Sequence, residues 1–275
     1  MASVGLIVHE DREEAVAEAA SLAEKLVAQG HLVRQCSEND FGEGFIGGFD
    51  LMVSLGGDGS ILRALYLLDG KPIPVLGVNF GHLGYLTVVE PEDAFEAVGK
   101  FLTGDYDLEE RMMLRVSIER SDGSPSIVDH ALNEVVVERT SAGQTVRVGV
   151  SLDGDFFTSY VADGLLLATP TGSTAYAFSA RGPIVDVRHR SIQLSPVSAH
   201  MLFDRTLVLN PNTEVCLEIF GDRSVTCALD GRELGILAKG DRVVSTASDR
   251  VAKLVTFGER DFLNTLKVKF GLEDR

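Results

Sequence analysis

The first hundred residues alternate between two hydrophobic periods. Short apolar runs predict buried strands, and between them lie segments whose apolar residues recur at helical spacing. The predicted strands cover residues 4–9, 31–36, 51–55 and 73–78. The predicted helices cover residues 12–28, 61–68 and 91–102. Strands that alternate with helices predict a parallel sheet covered on both faces, as in Rossmann-like α/β domains.

The pattern changes after about residue 104. Most of the later segments predict strands, at residues 113–119, 127–138, 145–152, 156–161, 206–209, 215–220 and 224–229. Asp-Gly dipeptides, which favour tight hairpins, begin at residues 122, 153 and 230. A helix is predicted at residues 173–180, and the apolar tail at residues 251–270 fits either part. The fold class is therefore α/β plus β, with an antiparallel second domain.

Composition and charge exclude several classes of partner. The 275 residues carry 41 acidic and 25 basic side chains, a formal net charge of −16. A chain this acidic repels nucleic acids and anionic membrane surfaces, and it has no apolar run long enough to span a bilayer. Three cysteines without paired spacing and the lack of a signal peptide predict a soluble, cytoplasmic protein. Six scattered histidines predict no protein-held metal site.

Residues 42–47 match the dinucleotide-binding pattern G-x-G-x-x-G. That fingerprint requires a strand before it and a helix after it. Here a polar segment comes before the motif and a predicted strand follows it. The segment is therefore predicted to be a loop.

A second glycine-rich segment has the context that a phosphate site requires. Gly56, Gly57, Asp58, Gly59 and Ser60 follow a predicted buried strand and begin a helix. Glycines allow a ligand to approach the backbone closely, and helix-start amides favour an anion, whereas a plain helix cap does not need three glycines. A carboxylate beside a polyphosphate needs a cation or a transferable proton between them. Asp58 therefore predicts phosphoryl transfer to a hydroxyl, with magnesium on the phosphates.

Two further segments place polar side chains in apolar surroundings. Asn133 and Glu134 interrupt an apolar strand, where burying them without partners costs on the order of 1–3 kcal/mol. They indicate either a strand edge or bulge, or a pair that hydrogen-bonds a ribose or a base. The second segment, residues 163–176, is a buried strand that leads into a hydroxyl-rich loop. This loop suits a nucleoside, with a Ser/Thr-capped helix as the simpler alternative.

In this order and spacing, the three segments resemble the NAD kinase family. The glycine-rich element alone is shared with lipid kinases and phosphofructokinases, whereas residues 169–176 are specific. The resemblance spans nearly the whole chain and includes residues 79–85. It implies a Rossmann-like α/β domain at residues 1–104, to which a tail at about 256–275 returns, and a β-rich, β-sandwich-like NAD-binding domain at residues 105–255. It also implies transfer of the γ-phosphoryl group of ATP to the 2′-hydroxyl of the adenosine ribose of NAD.

The resemblance assigns roles by position. Asp58 would be the catalytic carboxylate, acting as general base or orienting group. The residues that would hold the phosphates of ATP are Gly56, Gly57, Gly59 and Ser60. The residues that would contact NAD are Asp58, Gly59, Tyr85, Asn133, Glu134, Asp163, Thr171, Thr174, Ala175, Tyr176, Ser179 and Asp230. Mg²⁺ or another divalent cation would arrive with ATP, and members of the family typically form homodimers or homotetramers.

The chain departs from the family pattern at a few positions. Arg181 stands where glycine usually precedes Gly-Pro, Ser60 stands where threonine is frequent, and residues 195–200 lack the Cys-Pro-His found in many members. His82, in a glycine-rich turn, is expected to be a structural hydrogen-bonding residue. Two alternative functions remain open: a kinase of a lipid or sugar hydroxyl, and a dinucleotide sensor without catalysis.

Overall fold

The computed structural model describes residues 1–37, 48–81, 84–258 and 261–272. The motif at residues 42–47 and the side chain of His82 lie outside the described residues. The chain divides into two compact units, residues 1–110 with 252–275 and residues 111–251. The sequence pattern and the family resemblance place these boundaries near residues 104 and 255.

The secondary structure follows the predicted change from α/β to β. In chain order, the strands of the described residues are β1 (Ser3–Val8), β2 (Leu32–Ser37), β3 (Leu51–Gly56), β4 (Val75–Asn79), β5 (Asp107–Glu119), β6 (Ile127–Ala131), β7 (Glu134–Arg139), β8 (Val146–Leu152), β9 (Asp155–Ala162), β10 (Gly164–Ala168), β11 (Ile192–Val197), β12 (Leu207–Leu209), β13 (Val215–Ile219), β14 (Val225–Leu229), β15 (Arg232–Leu237) and β16 (Arg242–Thr256). The helices are α1 (Glu13–Ala28), α2 (Asp58–Leu68), α3 (Ala94–Thr103), α4 (Tyr176–Ser179) and α5 (Phe262–Phe270), with 3-10 turns at Pro91–Asp93 and Thr171–Thr174. None of the described helices is long and apolar enough to cross a membrane.

The first unit is built on a parallel sheet. Its strands run in the order β2-β1-β3-β4, and Leu254, near the end of β16, pairs with Val75 in β4. Every residue of β3 is buried, as expected of an inner strand covered on both faces. Helices α1 and α3 share one hydrophobic cluster with β1, β3 and β4. The predicted parallel sheet is confirmed.

The carboxyl ends of the parallel strands bring three chain segments together at one edge of this sheet. After β1, the amide of His9 donates to the carbonyl of Leu55 in β3 (3.1 Å). After β4, the amide of Phe80 donates to the carbonyl of Gly56 (2.8 Å). In open α/β sheets, ligands bind at this edge. The fold therefore places the glycine-rich loop, defined here as residues 56–60, where a ligand is expected.

The second unit is an antiparallel structure of two sheets. One sheet has the order β12-β11-β10-β7-β14-β15, and in the other β13 pairs with β8 and with the first part of β16, while β8 pairs with β9. One core cluster contains side chains of both sheets, including Leu165 and Leu167 of β10 and Val148 and Val150 of β8. This arrangement confirms the predicted antiparallel, sandwich-like domain.

Two of the three Asp-Gly dipeptides form two-residue hairpin turns. Asp153 (φ 53°) joins β8 to β9, and Asp230 (φ 47°) joins β14 to β15, each followed by a glycine with positive φ. Two consecutive left-handed residues are what a type I′ turn requires. The third dipeptide, at residue 122, lies in a longer connection between β5 and β6.

The structure differs from the sequence prediction at the two polar segments. The strand predicted at residues 127–138 is divided into β6 and β7, with a break at Leu132 and Asn133. The helix predicted at residues 173–180 is a 3-10 turn followed by the short α4. Between the two, Ala175 has φ −101° and ψ −127°, which is not a helical conformation.

The backbone at the end of α4 shows how Arg181 is accommodated at a position where the family usually has glycine. The amide of Arg181 donates to the carbonyl of Phe178 (2.9 Å), and that of Gly182 donates to Ala177 (2.8 Å). These are the two bonds of a Schellman motif, whose left-handed residue is usually glycine. Arg181 occupies this position with φ 63°, which costs an L side chain roughly 1–2 kcal/mol. The helix therefore ends as in a glycine-terminated helix, at the expense of backbone strain.

Candidate active site

Asp58 is the first residue of α2, but its side chain does not cap that helix. It extends instead to the segment that follows β4. Its Oδ2 accepts a hydrogen bond from the amide of Tyr85 (2.8 Å). Its Oδ1 accepts hydrogen bonds from the amides of Leu86 (2.9 Å) and Thr87 (3.4 Å). Backbone groups of residues 85–87 therefore fix the orientation of the carboxylate.

The fixed carboxylate of Asp58 retains room for one more donor. A carboxylate offers about four acceptor positions, and three are occupied by amides. The fourth, on Oδ2, has no donor among the described residues. Gly84 makes the arrangement possible, because a Cβ at that position would overlap Oδ1 of Asp58. Such a group is suited to orient a hydroxyl and accept its proton.

The three glycines of the glycine-rich loop differ in what the fold requires of them. A Cβ on Gly56 would overlap the side chain of Ser60, which is buried. A Cβ on Gly57 or Gly59 would meet no described atom within 4 Å, and neither residue has a positive φ. The fold itself therefore does not need glycine at these two positions. Their open Cα faces, at the start of α2, suit the close approach of an anion.

Tyr85 connects this segment to the C-terminal helix α5. Its ring centroid lies 6.5 Å from that of Phe262, and Nζ of Lys269 lies 4.2 Å from the same centroid. Phe262 and Lys269 are seven residues apart and so share one face of α5. Burial, together with the negative charge of Asp58, raises the pKa of the Tyr85 phenol.

In the second unit, Asp230 shapes the segment that contains Asn133 and Glu134. Its Oδ2 accepts a hydrogen bond from the amide of Leu132 (2.7 Å), and its Oδ1 accepts from Asn133 (2.8 Å) and Glu134 (3.0 Å). Burial raises the pKa of Asp230 to about 6, against the opposing effect of these amides. Because the three amides point to Asp230, residues 132–133 leave the strand ladder. This explains the break between β6 and β7.

Glu134 is a buried carboxyl group next to Asp230. Only 7% of the residue is exposed, and its Oε2 has no hydrogen-bond partner among the described residues. The amide of Tyr176 donates to its carboxyl group. Burial, reinforced by the charge of Asp230, raises the pKa of Glu134 to about 8. At pH 7 the side chain is therefore mainly neutral and is able to donate a hydrogen bond.

The hydroxyl-rich segment packs directly on Asn133. The Thr169 hydroxyl donates to the carbonyl of Leu132 (2.5 Å) and accepts from the amide of Gly172 (3.1 Å). A Cβ on Gly172 would overlap the carbonyl group of Asn133. The Ser173 hydroxyl donates to a backbone carbonyl (2.6 Å). Several of the hydroxyls that suggested a nucleoside site therefore hold the segment itself in place.

Three charged residues of this region were missed by the sequence analysis. Arg111, 3% exposed, donates to the hydroxyl of Thr171 (3.3 Å). At the end of β7, Glu138 accepts from the hydroxyl of Tyr176 (3.3 Å), and Arg139 pairs with Asp163 (3.2 Å). The adjacent charges that follow an apolar strand at residues 138–139 were the available signal. At residue 111, a single arginine ahead of an apolar run gives no signal of a functional role.

The predicted residues fall into two groups. The first unit brings together Gly56, Gly57, Asp58, Gly59, Ser60 and Tyr85. The second unit brings together Asn133, Glu134, Asp163, Thr171, Thr174, Ala175, Tyr176 and Asp230. Ser179 is exposed at the end of α4. Their individual contacts with NAD or ATP stay predictions.

Glu134 predicts a pH dependence of stability. A carboxyl group whose pKa is higher in the folded state binds protons more tightly when folded. The stability it contributes is present below its ordinary pKa of 4.5 and is lost as the pH rises through about 8. Between pH 4.5 and about 8, we expect the unfolding free energy of the native protein to fall as the pH rises. The fall is expected to be steeper than that of Glu134→Gln by up to about 1.4 kcal/mol per pH unit. Urea unfolding across the range checks this, and parallel pH curves for the two proteins would contradict it.

Comparison with known proteins assigns the chain to a family. The model of the ATP-NAD kinase N-terminal domain matches residues 37–106, and that of the ATP-NAD kinase C-terminal domain matches residues 132–257. The NAD kinase of Citrifermentans bemidjiense is 34% identical over 282 residues, covering 98% of this chain and 97% of that protein. The NAD kinase of Heliobacterium modesticaldum is 39% identical over 221 residues, covering 80% and 78%.

Two solved structures are similar over nearly the whole chain. An Archaeoglobus fulgidus NAD kinase in complex with ATP has a TM-score of 0.76 and 26% identity, covering 98% of this chain and 97% of that one. A yeast NADH kinase complexed with NADH has a TM-score of 0.89 and covers 100% and 89%, and at 24% identity it supports the fold alone. The two matched domain models and the relatives of more than 30% identity show that the chain belongs to the NAD kinase family.

Proposed function

We propose that this protein transfers the γ-phosphoryl group of ATP to the 2′-hydroxyl of the adenosine ribose of NAD, releasing NADP and ADP. The observation that carries the proposal is the environment of Asp58. Three amides hold its carboxylate, one acceptor position is open, and the Cα faces of Gly57 and Gly59 beside it are unobstructed. The relatives named NAD kinase and the similar structure with ATP support the choice of substrates.

In this mechanism Asp58 orients the 2′-hydroxyl and accepts its proton. The 2′-oxygen forms a bond to the γ-phosphorus while the bond from phosphorus to the β,γ-bridging oxygen breaks, and ADP leaves with that oxygen. The proton passes to the open position of the Asp58 carboxylate and then to solvent. Phosphoryl transfer depends mainly on positioning and electrostatics. The rigid hold on Asp58 by residues 85–87 is therefore part of the catalytic design.

Magnesium, or another divalent cation, is proposed to arrive with ATP. Its chemistry there is to neutralise charge on the phosphate oxygens. The described residues contain no group of three or more His, Cys, Asp or Glu side chains able to hold a metal. Mg²⁺ in nucleotide sites usually has phosphate oxygens and water as most of its ligands, so the proposal does not require such a group.

The second unit is proposed to bind NAD. The carboxyl group of Glu134 accepts a hydrogen bond from the amide of Tyr176, and a neutral Glu134 can donate to an acceptor atom of the adenosine half. The backbone of Asn133 contacts the same segment at Thr169 and Gly172.

In the same proposal, Tyr85 packs an aromatic face against the adenine ring and Asp163 serves the nicotinamide half. Tyr85 supports it with a half-buried ring already placed beside Asp58.

Two further properties are proposed from surface and thiol chemistry. A homodimer or homotetramer is supported by Phe157 and Phe203, which are 45% and 37% exposed and whose ring centroids lie 6.1 Å apart, because exposed apolar patches mark interaction surfaces. A cytoplasmic location is supported by the three free, buried cysteines, since thiols stay reduced in that compartment.

The assay of NADP formation tests the function. Purified protein with Mg²⁺, NAD and ATP is expected to form NADP and ADP in equal amounts, and GTP and polyphosphate are compared as donors. Binding of NAD without consumption of ATP would indicate a sensor instead. Phosphorylation of a sphingoid base or of fructose 6-phosphate, without NADP formation, would indicate a different kinase.

Gly59 allows stability and activity to be separated. It lies within α2, where alanine is the better helix former by about 0.5–1 kcal/mol, and a Cβ there meets no described atom. We expect Gly59→Ala to be as stable as the native protein or more so, yet to raise the KM for ATP at least about tenfold, because the methyl group occupies the phosphate approach. Urea unfolding and steady-state kinetics measure the two effects. A variant with an unchanged KM for ATP would show that this face does not meet the nucleotide.

A further inference from the structure

The triphosphate of ATP needs positive charge, and this acidic chain has few cations near the glycine-rich loop. Arg12 is one of them. It follows β1 at the N-terminal cap of α1, and its amide donates to the carbonyl of His9 (3.1 Å). Since β1 is part of the parallel sheet, Arg12 lies at the same edge as the ends of β3 and β4.

The guanidinium group of Arg12 lies flat against Gly81. A Cβ built on Gly81 would be 3.1 Å from Nη1, 3.3 Å from Nη2 and 3.5 Å from Cζ of Arg12. Gly81 has no positive φ, and a Cβ there would be in tight contact with the guanidinium. The preceding residue, Phe80, donates its amide to the carbonyl of Gly56 (2.8 Å). A short run of backbone thus connects the guanidinium to the glycine-rich loop.

The side chain of Arg12 forms no ion pair with the acidic residues that the structure describes around it. Its sequence neighbours include Glu10, Asp11, Glu13 and Glu14. Yet no ion pair or side-chain hydrogen bond of Arg12 occurs with any residue in the described part of the chain. The residue is exposed, and its five N–H donors are available at the edge where the ligand is expected.

We propose that Arg12 binds the triphosphate of ATP, donating in bidentate fashion to phosphate oxygens at the glycine-rich loop. A guanidinium group matches the geometry of phosphate, and charge-assisted bonds of this kind are among the strongest that side chains form. This inference rests on the proposed function and adds a residue to the donor site.

The test compares Arg12→Met with Lys25→Met. Lys25 lies in the last turn of α1, so its loss removes the same charge from the opposite end of the same helix. We expect Arg12→Met to raise the KM for ATP about 10- to 100-fold, with the KM for NAD changed less than about twofold, and Arg12→Lys to recover part of the loss. Lys25→Met is expected to behave as the native protein.

Binding of inorganic tripolyphosphate, followed by calorimetry, provides a second readout that requires no turnover. Arg12→Met is expected to weaken it about as much as it raises the KM for ATP. An unchanged KM for ATP and unchanged tripolyphosphate affinity would overturn the proposal, as would equal losses for ATP and NAD accompanied by lower stability. If the native protein forms no NADP, the proposed function fails, and the difference in tripolyphosphate affinity still decides the role of Arg12.

Discussion

Replacement of Asp58 by asparagine is expected to lower kcat about 10²- to 10⁴-fold, the contribution typical of a general base, while NAD still binds. An amide does not accept the hydroxyl proton. In addition, the NH₂ group of the asparagine must face at least one backbone amide whose hydrogen bond Asp58 accepts in the native protein. These amides are those of Tyr85, Leu86 and Thr87. Steady-state NADP formation, with NAD affinity from calorimetry, measures the two effects separately.

Asp50→Asn is the matched control for that experiment. Asp50 also accepts a backbone amide in the first unit, from Ser3 (2.8 Å), but it lies outside the glycine-rich loop. The asparagine keeps one acceptor oxygen for the Ser3 amide, so the variant reports what the Asp-to-Asn change alone does to folding in this unit, and its kcat is expected to be that of the native protein. Turnover of Asp58→Asn close to that of the native protein would remove Asp58 from the reaction. A parallel loss of NAD affinity and stability would reduce it to a structural residue.

Asp230→Ala is expected to cause the largest loss of stability, at least about 3 kcal/mol. Three amides, of Leu132, Asn133 and Glu134, lose their acceptor, and an unsatisfied buried amide costs about 1–3 kcal/mol. The segment that carries Asn133 and Glu134 is then free to move, so NAD affinity is expected to fall as well. Urea unfolding and calorimetry with NAD measure these two losses.

Two matched variants separate the causes. Asp153 has the same left-handed conformation in the other hairpin turn, and its side chain accepts one hydrogen bond, from the amide of Glu214 (2.9 Å). Asp153→Ala therefore measures the cost of alanine in such a turn together with the loss of one amide bond. Asp230→Asn keeps the turn and one acceptor oxygen. If Asp230→Ala destabilises no more than Asp153→Ala, the three amide bonds do not support the segment. A stable Asp230→Asn that binds NAD poorly would indicate direct contact between Asp230 and the dinucleotide.

Local patterns explain which parts of the fold were predictable. The alternation of strands and helices in the first unit and the Asp-Gly turns of the second are short-range signals, and both gave the correct fold class. The long strand β16 was missed because polar residues interrupt its apolar pattern, among them Ser245, Ser248 and Asp249. Its partners, β13 and β4, lie far away in the sequence and leave no mark on its own residues.

The sequence selects candidate site residues but does not show how they are connected. The motifs identified Asp58, Glu134 and Asp230, because each combines unusual residue types with a strand end or a turn. The sequence did not indicate that Asp58 is held by amides 27 to 29 residues away, or that Asp230 holds amides 96 to 98 residues away. Bonds of this kind depend on tertiary structure, and a single sequence carries no local pattern for them.

The first unit draws its residues from both ends of the chain, and this has a consequence for its biosynthesis. Strand β4 receives its outer neighbour only when Leu254 has been synthesised. The sheet of the first unit is therefore completed only after residues 111–251 have been synthesised, although domains generally fold in the order of their synthesis. Until then β4 is an open edge of the nascent sheet, and an open edge is a site at which a wrong strand can pair.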